Sequence, residues 1–285
     1  MNKEKRILTF QDMSCVGQCS LGVALPIISA CGHETCPLPS AILSTHTGGE
    51  FSGYTFNDLS DSIMPIVEHW KRQGIYFDAF YSGYLGNDTD IKCAKHIMGN
   101  LLCDGAVRIV DPAMADNGSL YPGFDSEYAR AMTELCTHAD IIIPNVTEAC
   151  IMAGIDCFHA HTREKIISLL DFLSSAGMKK IILTGVSLGE NSLGVAIYDN
   201  GQTDFYLHEK INVMCHGTGD IYASAFVGAY LRGISFCDSA KIAADFTLES
   251  IKLTYDRTEH WYGARFEKAI PYLITLISTT TYQNR

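Results

Sequence analysis

Basic charge is scarce in this sequence. Among 285 residues, 21 Lys and Arg face 32 Asp and Glu, giving a formal net charge of −11 at pH 7 and a pI near 5.3. A domain that grips a nucleic-acid backbone by charge shows a basic stripe and a pI above ~9. No Lys/Arg run of that kind occurs, so no nucleic-acid partner is expected. A small anion is still allowed, because backbone amides at a helix start bind phosphate without a basic side chain. Long hydrophobic runs are missing as well. The longest, residues 21–31, contains Pro26 and falls short of the ~20 residues that cross a bilayer. The early run Ile7-Leu8-Thr9-Phe10 is shorter than the ~7–15 apolar residues of a secretory signal. Paired cysteines are lacking too: the eleven are spread from Cys15 to Cys237 with no C-x-x-C, and their number is odd. These absences together predict a reduced, soluble, cytoplasmic protein with no membrane partner, its cysteines packing mostly as small hydrophobes. Cys157, His159 and His161 form a cluster without a partner pair, so a structural zinc site is not expected there.

Several phosphate and nucleophile motifs are also missing. There is no G-x-x-x-x-G-K-[ST], no G-x-G-x-x-G after a strand (the Gly17 to Gly22 spacing is wrong), and no G-x-S-x-G. These gaps argue against a Walker-A loop, a dinucleotide dehydrogenase and a hydrolase with a nucleophile elbow.

What the chain does have is a globular balance of 47% hydrophobic and 19% charged residues and a regular alternation. Short β-branched runs at 6–10, 77–81, 107–111, 140–144 and 180–184 are mostly apolar throughout, as strands buried on both faces of a parallel sheet must be. Between them, 89–102, 126–138 and 162–176 carry apolar residues at helical spacing. Segments 195–198 and 205–207 read as a hairpin around Asn200-Gly201, after which the chain turns helical. The expectation is an α/β fold, a three-layer αβα arrangement around a mostly parallel sheet, in one domain over 1–285.

Ligands of such sheets sit at the carboxyl ends of the strands. Asp111-Pro112, Pro144-Asn145 and Thr184-Gly185 fall there, and the loop 44–49 (Ser-Thr-His-Thr-Gly-Gly) is a fourth candidate. His216-Gly217-Thr218-Gly219-Asp220 leads straight into an almost wholly apolar helix from Ile221 to Leu231. Two glycines allow a tight turn and a close approach to the main chain. The unpaired amides and dipole of the helix start make an anion site, and an Asp in that field is placed to act as a base. Thr and Asp are also ordinary helix caps. A cap alone keeps function in Asp220→Asn, whereas a catalytic base does not.

At this point the sequence resembles the ribokinase-like superfamily, in its pyridoxal/pyridoxamine kinase branch, in the family's order along nearly the whole chain. Gly217-Thr218-Gly219-Asp220 matches the superfamily signature, which implies an anion hole at Gly217, Thr218 and Gly219 and a catalytic base at Asp220. The segment 111–118 (Asp-Pro-Ala-Met-Ala-Asp-Asn-Gly) resembles the acidic stretch that faces Mg–ATP, and Asn145-Val146-Thr147-Glu148 matches N-x-x-E. The resemblance thus implies ATP contacts at Asp111, Asp116, Asn145, Glu148, Thr184 and Thr218, with magnesium held near Asp111 and Glu148. Ser44-Thr45-His46-Thr47-Gly48 and Ser82-Gly83-Tyr84-Leu85-Gly86 resemble two loops that lie against the substrate ring in vitamin B6 kinases, which implies substrate contacts at His46, Thr47 and Tyr84.

The first strand departs from the pattern: Gln11-Asp12-Met13 stands where the family carries Gln-Ser-His. Asp12 would favour a cationic substrate group, since an opposite charge within ~4–6 Å stabilises the charged form, and this points toward pyridoxamine. Local backbone bonding by Asp12 is the other reading. The activity implied is ATP-dependent phosphorylation of the 5′-hydroxymethyl group of a B6 vitamer by a homodimer, with Mg2+ as cofactor and a monovalent-cation requirement left open. The 116–121 stretch has the Gly and polar content of a mobile loop, and the resemblance implies that a loop here closes over the reacting groups. Hydroxymethylpyrimidine kinase activity is the alternative within the superfamily. A non-catalytic binding protein of the same fold is the alternative outside it, although the glycine turn and Asp220 are intact.

Overall fold

The computed structural model of the chain describes residues 4–48, 51–157, 161–213, 215–255 and 258–283. In chain order the strands are β1 (Arg6–Ser14), β2 (Glu34–Leu43), β3 (Phe56–Asp58), β4 (Phe77–Ser82), β5 (Leu102–Val110), β6 (Ala115–Asp116), β7 (Ser119–Leu120), β8 (Ile141–Ile142), β9 (Lys180–Val186), β10 (Ser192–Asp199) and β11 (Gln202–Glu209). The helices are α1 (Leu21–Ala30), α2 (Ser60–Arg72), α3 (Asp88–Asn100), α4 (Ser126–Thr137), α5 (Val146–Ala153), α6 (Arg163–Ser175), α7 (Thr218–Leu231), α8 (Phe236–Lys252) and α9 (Phe266–Gln283). A nine-stranded sheet runs β11-β10-β9-β8-β5-β4-β1-β2-β3. Its inner pairings are parallel, while β3 and the β9-β10-β11 meander add antiparallel rims.

Strand side chains alternate between two cores. Leu8, Phe10, Phe80, Val110 and Leu183 pack under α2 to α6. Ile7, Tyr81, Ile109 and Ile182 pack under α1, α7, α8 and α9. This period-two division with helices on both faces is the expected three-layer αβα architecture. The predicted helices begin where polar side chains cap them: Asn87, Asp125 and Thr162 each accept a first-turn amide. α7 is buried on nearly every side, as its uniformly apolar sequence requires.

Two elements depart from the expectation. β2 was not anticipated, because Pro37 and Pro39 interrupt its apolar pattern. They pair with β1 at Thr9 and Gln11, and β3 covers only residues 41–43 on the other side. The prolines therefore occupy an edge stretch, where a missing N–H costs no ladder bond. The expected mobile loop at 116–121 is instead a tight β6–β7 hairpin. Asn117 (φ 50°) and Gly118 (φ 81°) form the Asn-Gly turn that suits a two-residue connection. The hairpin is pinned by the Gly118 amide donating to Thr147 Oγ1 at 3.1 Å.

Candidate active site

The chain leaves β1 toward β2 on one side and later returns to place β4 on the other side of β1. This makes β1/β4 a topological switch point, the place where ligands bind in open α/β sheets. The expected site residues collect at the carboxyl ends of these strands: Asp12 on β1, Tyr84 after β4, Asp111 after β5, Asn145 and Glu148 after β8, and Thr184 on β9.

Two helices converge on this edge by their N-termini. The loop ahead of α1 and the turn ahead of α7 interlock at Gly217, whose φ is 75°. A Cβ there would lie 1.5 Å from the Gln18 carbonyl oxygen, so no other residue fits. Gly219 differs: a Cβ there would meet nothing within 4 Å. Protein packing does not require that glycine, although glycine costs about 1 kcal/mol against alanine in a helix. The open space lies beside the first amides of α7, which have no acceptor one turn back. An anion can therefore approach the main chain there.

Asp220 sits in this first turn, reached by solvent on one side but otherwise enclosed by protein. Burial and the neighbouring charge of Asp12 push its carboxyl up to about 7, against the pull of the Ser20 amide that faces it. Asp12 is 5% exposed and stands at an irregularity in β1 between Gln11 and Met13, a device that re-aims a strand side chain. Burial raises its proton affinity. The hydroxyls of Ser20 and Ser14 oppose this, the latter donating to Asp12 Oδ2 at 3.3 Å. Tyr84 is half-buried and pushed up to about 12 by burial and by Asp12, Tyr54 and Asp90. Its ring stacks on Phe124 at 5.5 Å.

Across from Asp220, Asp111 is held well above the carboxylate range by burial and by the charges of Glu148 and Asp220. Glu148 is 2% exposed. It accepts the Asn145 amide on Oε2 at 2.8 Å and the Met114 and Ala115 amides on Oε1 at 3.0 and 3.4 Å. Asn145 returns the bond, accepting the Glu148 amide at 2.9 Å, which completes a capping box on α5. Asn145 also donates to the Ala115 carbonyl at 2.7 Å. The N-x-x-E pair thus fastens the start of α5 to the 111–116 segment. Burial still drives the Glu148 carboxyl up to about 8, reinforced by Asp116. Asp116 itself is exposed and accepts from the Asn117 amide at 2.8 Å. Thr184 bridges to Asn145 through its amide on the Pro144 carbonyl at 2.9 Å.

Among the described residues, no group of three or more His, Cys, Asp or Glu side chains is placed to hold a metal. Two buried carboxylates that repel each other suit a different arrangement, in which Mg2+ is held by one or two carboxylates together with substrate phosphates and water. Asp111 and Glu148 fit that donor set. Of the Cys157/His159/His161 cluster, His159 lies outside the described residues, and His161 accepts the Ser187 amide at 3.0 Å.

His46 is fixed by bonds to the protein on both ring nitrogens. Its Nε2 donates to the Tyr262 carbonyl at 2.8 Å, and its Nδ1 accepts the Gly48 amide at 3.1 Å. Its ring fills the space over Gly17, where a Cβ would meet Cδ2 at 2.2 Å. With both nitrogens committed, His46 locks three loops together and leaves Thr47 exposed beside it. Sequence reasoning missed Cys19 and Ser20. Cys19 lies beside Asp12 and Asp220, and burial together with their charges keeps its thiol protonated. The only signal available was a glycine loop between the first strand and its helix.

A carboxylate in the opening turn of a glycine-led helix, facing buried carboxylates at the sheet edge, is an arrangement suited to phosphoryl transfer. The chain belongs to the phosphomethylpyrimidine kinase family, whose sequence model matches residues 67–264. It is similar to a provisionally named phosphomethylpyrimidine kinase from Bacteroides thetaiotaomicron, with 32% identity, a TM-score of 0.91, and coverage of 95% of this chain and 94% of that one. A second crystal form of that protein, with pyridoxal, superposes with a TM-score of 0.88. Pyridoxal kinase from Lactobacillus plantarum is 27% identical, covering 96% of this chain and 98% of its own, with a TM-score of 0.88. Among curated relatives, human pyridoxal kinase is 24% identical over 284 residues, 90% of this chain and 86% of that protein. These findings agree with the expected B6 kinase branch of the ribokinase-like superfamily.

Proposed function

We propose that this chain transfers the γ-phosphoryl group of ATP to the 5′-hydroxymethyl group of a B6 vitamer. The observation that carries the reading is the pairing of Asp220 with the open space over Gly219, a base beside an amide-lined anion pocket. Similarity to the Bacteroides protein solved with pyridoxal supports the choice of substrate.

In this reading Asp220 accepts the hydroxyl proton as the substrate oxygen attacks phosphorus. A carboxyl near 7 is matched to that task at neutral pH. The first amides of α7, at Thr218 and Gly219, face the transferring oxygens, an effect worth ~3–4 kcal/mol per donor in comparable sites. Asp111 and Glu148 would hold magnesium, which neutralises phosphate charge when bound. Asn145, Asp116 and Thr184 line the nucleotide side. Tyr84 and Asp12 line the vitamer side, where Asp12 favours a cationic amine, and His46 and Thr47 shape the loop around it.

A homodimer in a reducing compartment belongs to the same reading. The eleven cysteines are all free. The exposed edge at β3, with Tyr54 (43%), Phe56 (50%) and Ile42 (39%), is the kind of strand edge that a second copy covers. Among the described residues no helix is long and apolar enough to cross a membrane.

The family's name favours one second reading, hydroxymethylpyrimidine as acceptor. ADP release with Mg–ATP and pyridoxal, pyridoxamine, pyridoxine or hydroxymethylpyrimidine decides between them. Turnover of a vitamer is expected, and ADP with none of the three vitamers overturns the proposal. Vitamer ranking before and after Asp12→Ser tests the amine preference.

A further inference from the structure

Ser20 faces both site aspartates, its hydroxyl toward Asp12 and its amide toward Asp220, and the mechanism above leaves it without work. It is the N-cap of α1, yet its side chain caps nothing. Only its carbonyl serves the helix, accepting the Val23 and Ala24 amides at 3.0 and 2.9 Å. A serine in that place ordinarily bonds a first-turn amide.

Its backbone is equally unusual, with φ 50° and ψ −130°, a combination that L side chains avoid. Among the described residues, the other non-glycines at positive φ are Asn117 and Asn200. Both are exposed turn asparagines followed by glycine, where that conformation is cheap. Ser20 is 5% exposed and has no such excuse. The surroundings hold it there. Gly217 presses on the Gln18 carbonyl, Gly263 packs against Gln18 Cβ, and Gly17 lies under the His46 ring. Gln18 is further tied to Glu267 at 2.8 Å.

The twist turns the Ser20 hydroxyl toward Asp12 and the Ser20 amide toward Asp220. We propose that Ser20 is a positioning residue: its strained backbone lets one residue hold the substrate-side Asp12 and the catalytic Asp220 at a fixed separation. Strain kept at a buried position by an over-determined loop is a mark of function. Loss of such alignment by about 1 Å costs roughly 100-fold in rate. The inference rests on the kinase reading.

Two substitutions test it. Ser20→Gly removes both hydroxyl and strain, so its melting temperature should rise by roughly 2–4 °C. Its kcat/KM for the preferred vitamer should nevertheless fall by roughly 10–100-fold, with part of the loss in kcat. Ser20→Ala removes the hydroxyl but keeps the strain. It should melt no higher than wild type and lose mainly in KM, through Asp12. A purely structural serine predicts a more stable Ser20→Gly variant with unchanged kcat and KM, and that result overturns the inference. So does a Ser20→Gly variant no more stable than wild type, because there was then no strain to release. Wild type assayed alongside separates the two levels. If it releases no ADP with any vitamer, the kinase reading falls and takes this inference with it. If it turns over beside an unaffected Ser20→Gly, this inference falls alone.

Discussion

Replacing Asp220 by Asn keeps the shape of the side chain and removes its charge, and should make the protein more stable while nearly abolishing turnover. In the folded chain the carboxyl is lifted from 3.8 to about 7 by burial and by Asp12. At ~1.4 kcal/mol per pH unit, ionising it in place costs about 4 kcal/mol as a ceiling. Solvent reaches one side of the group, which lowers the figure to roughly 1–3 kcal/mol. The folded state binds this proton more tightly than the unfolded chain, so the group erodes stability as pH rises from about 4 to about 7. Asp220→Asn should therefore melt roughly 2–6 °C higher above pH 7. The gain should shrink as pH falls and vanish near 4. ADP release should drop by at least ~100-fold, the usual contribution of a general base. A thermal shift series across pH, paired with a coupled ADP assay, measures both. A stability gain of equal size at about pH 4 and about pH 8 would refute the electrostatic argument, and retained turnover would refute the assignment of the base.

The two site glycines should separate stability from binding. Gly217→Ala forces a Cβ to 1.5 Å from the Gln18 carbonyl at φ 75°, and should cost about 3 kcal/mol or more, read as a lowered melting temperature or loss of soluble protein. Gly219→Ala meets no protein atom, so it should fold as well as wild type or better, yet lose affinity for a non-hydrolysable ATP analogue by calorimetry; unchanged affinity would remove the anion pocket from Gly219. Glu148→Ala leaves the amides of Met114, Ala115 and Asn145 without their acceptor, and hydrogen exchange at these positions should quicken by at least about ten-fold. Magnesium should raise the melting temperature more at about pH 8.5 than at about pH 6, because Asp111 and Glu148 must shed protons to bind it. An equal rise at both would place the metal elsewhere.

The parallel strands were legible in the sequence because burial on both faces leaves continuous apolar runs, and helices such as α4 and α6 because their apolar residues recur at helical spacing; their caps, Asp125 and Thr162, are seen in the structure. β2 was not legible. Pro37 and Pro39 exclude a central strand, and only the sheet shows that they lie on an unpaired edge. The 115–120 hairpin was readable from Asn117-Gly118, but its polar composition read as a loop. Within the site, the candidate positions at strand ends do lie together at one edge of the sheet, while the bonds each makes within the protein could not be read from its motif. His46 reads as a substrate contact from its short motif, and the structure adds a bond to the Tyr262 carbonyl, 216 residues away. No local pattern reveals such a bond. Ser20 was invisible for another reason. Its part lies in a backbone conformation, and composition and spacing do not encode φ.

The proposed site also gives so acidic a chain a way to handle anions. The groups that set the proton affinity of Asp111 and Asp220 are burial and other carboxylates, not a lysine or arginine. Asp111, Glu148 and Asp220 deepen the negative charge where the nucleotide phosphates would have to sit. Raised proton affinities relieve part of that repulsion, since a carboxyl near 7 or 8 is substantially neutral at physiological pH. In the proposed reading the remaining attraction comes from fixed dipoles, the amides at the starts of α1 and α7, whose partial charges do not titrate. These dipoles are held in place by steric interlock at Gly217 and Gln18 rather than by ion pairs. An anion site built this way should therefore resist screening by salt better than one built from exposed lysines, because its contacts lie within a turn of buried helix and not across solvent.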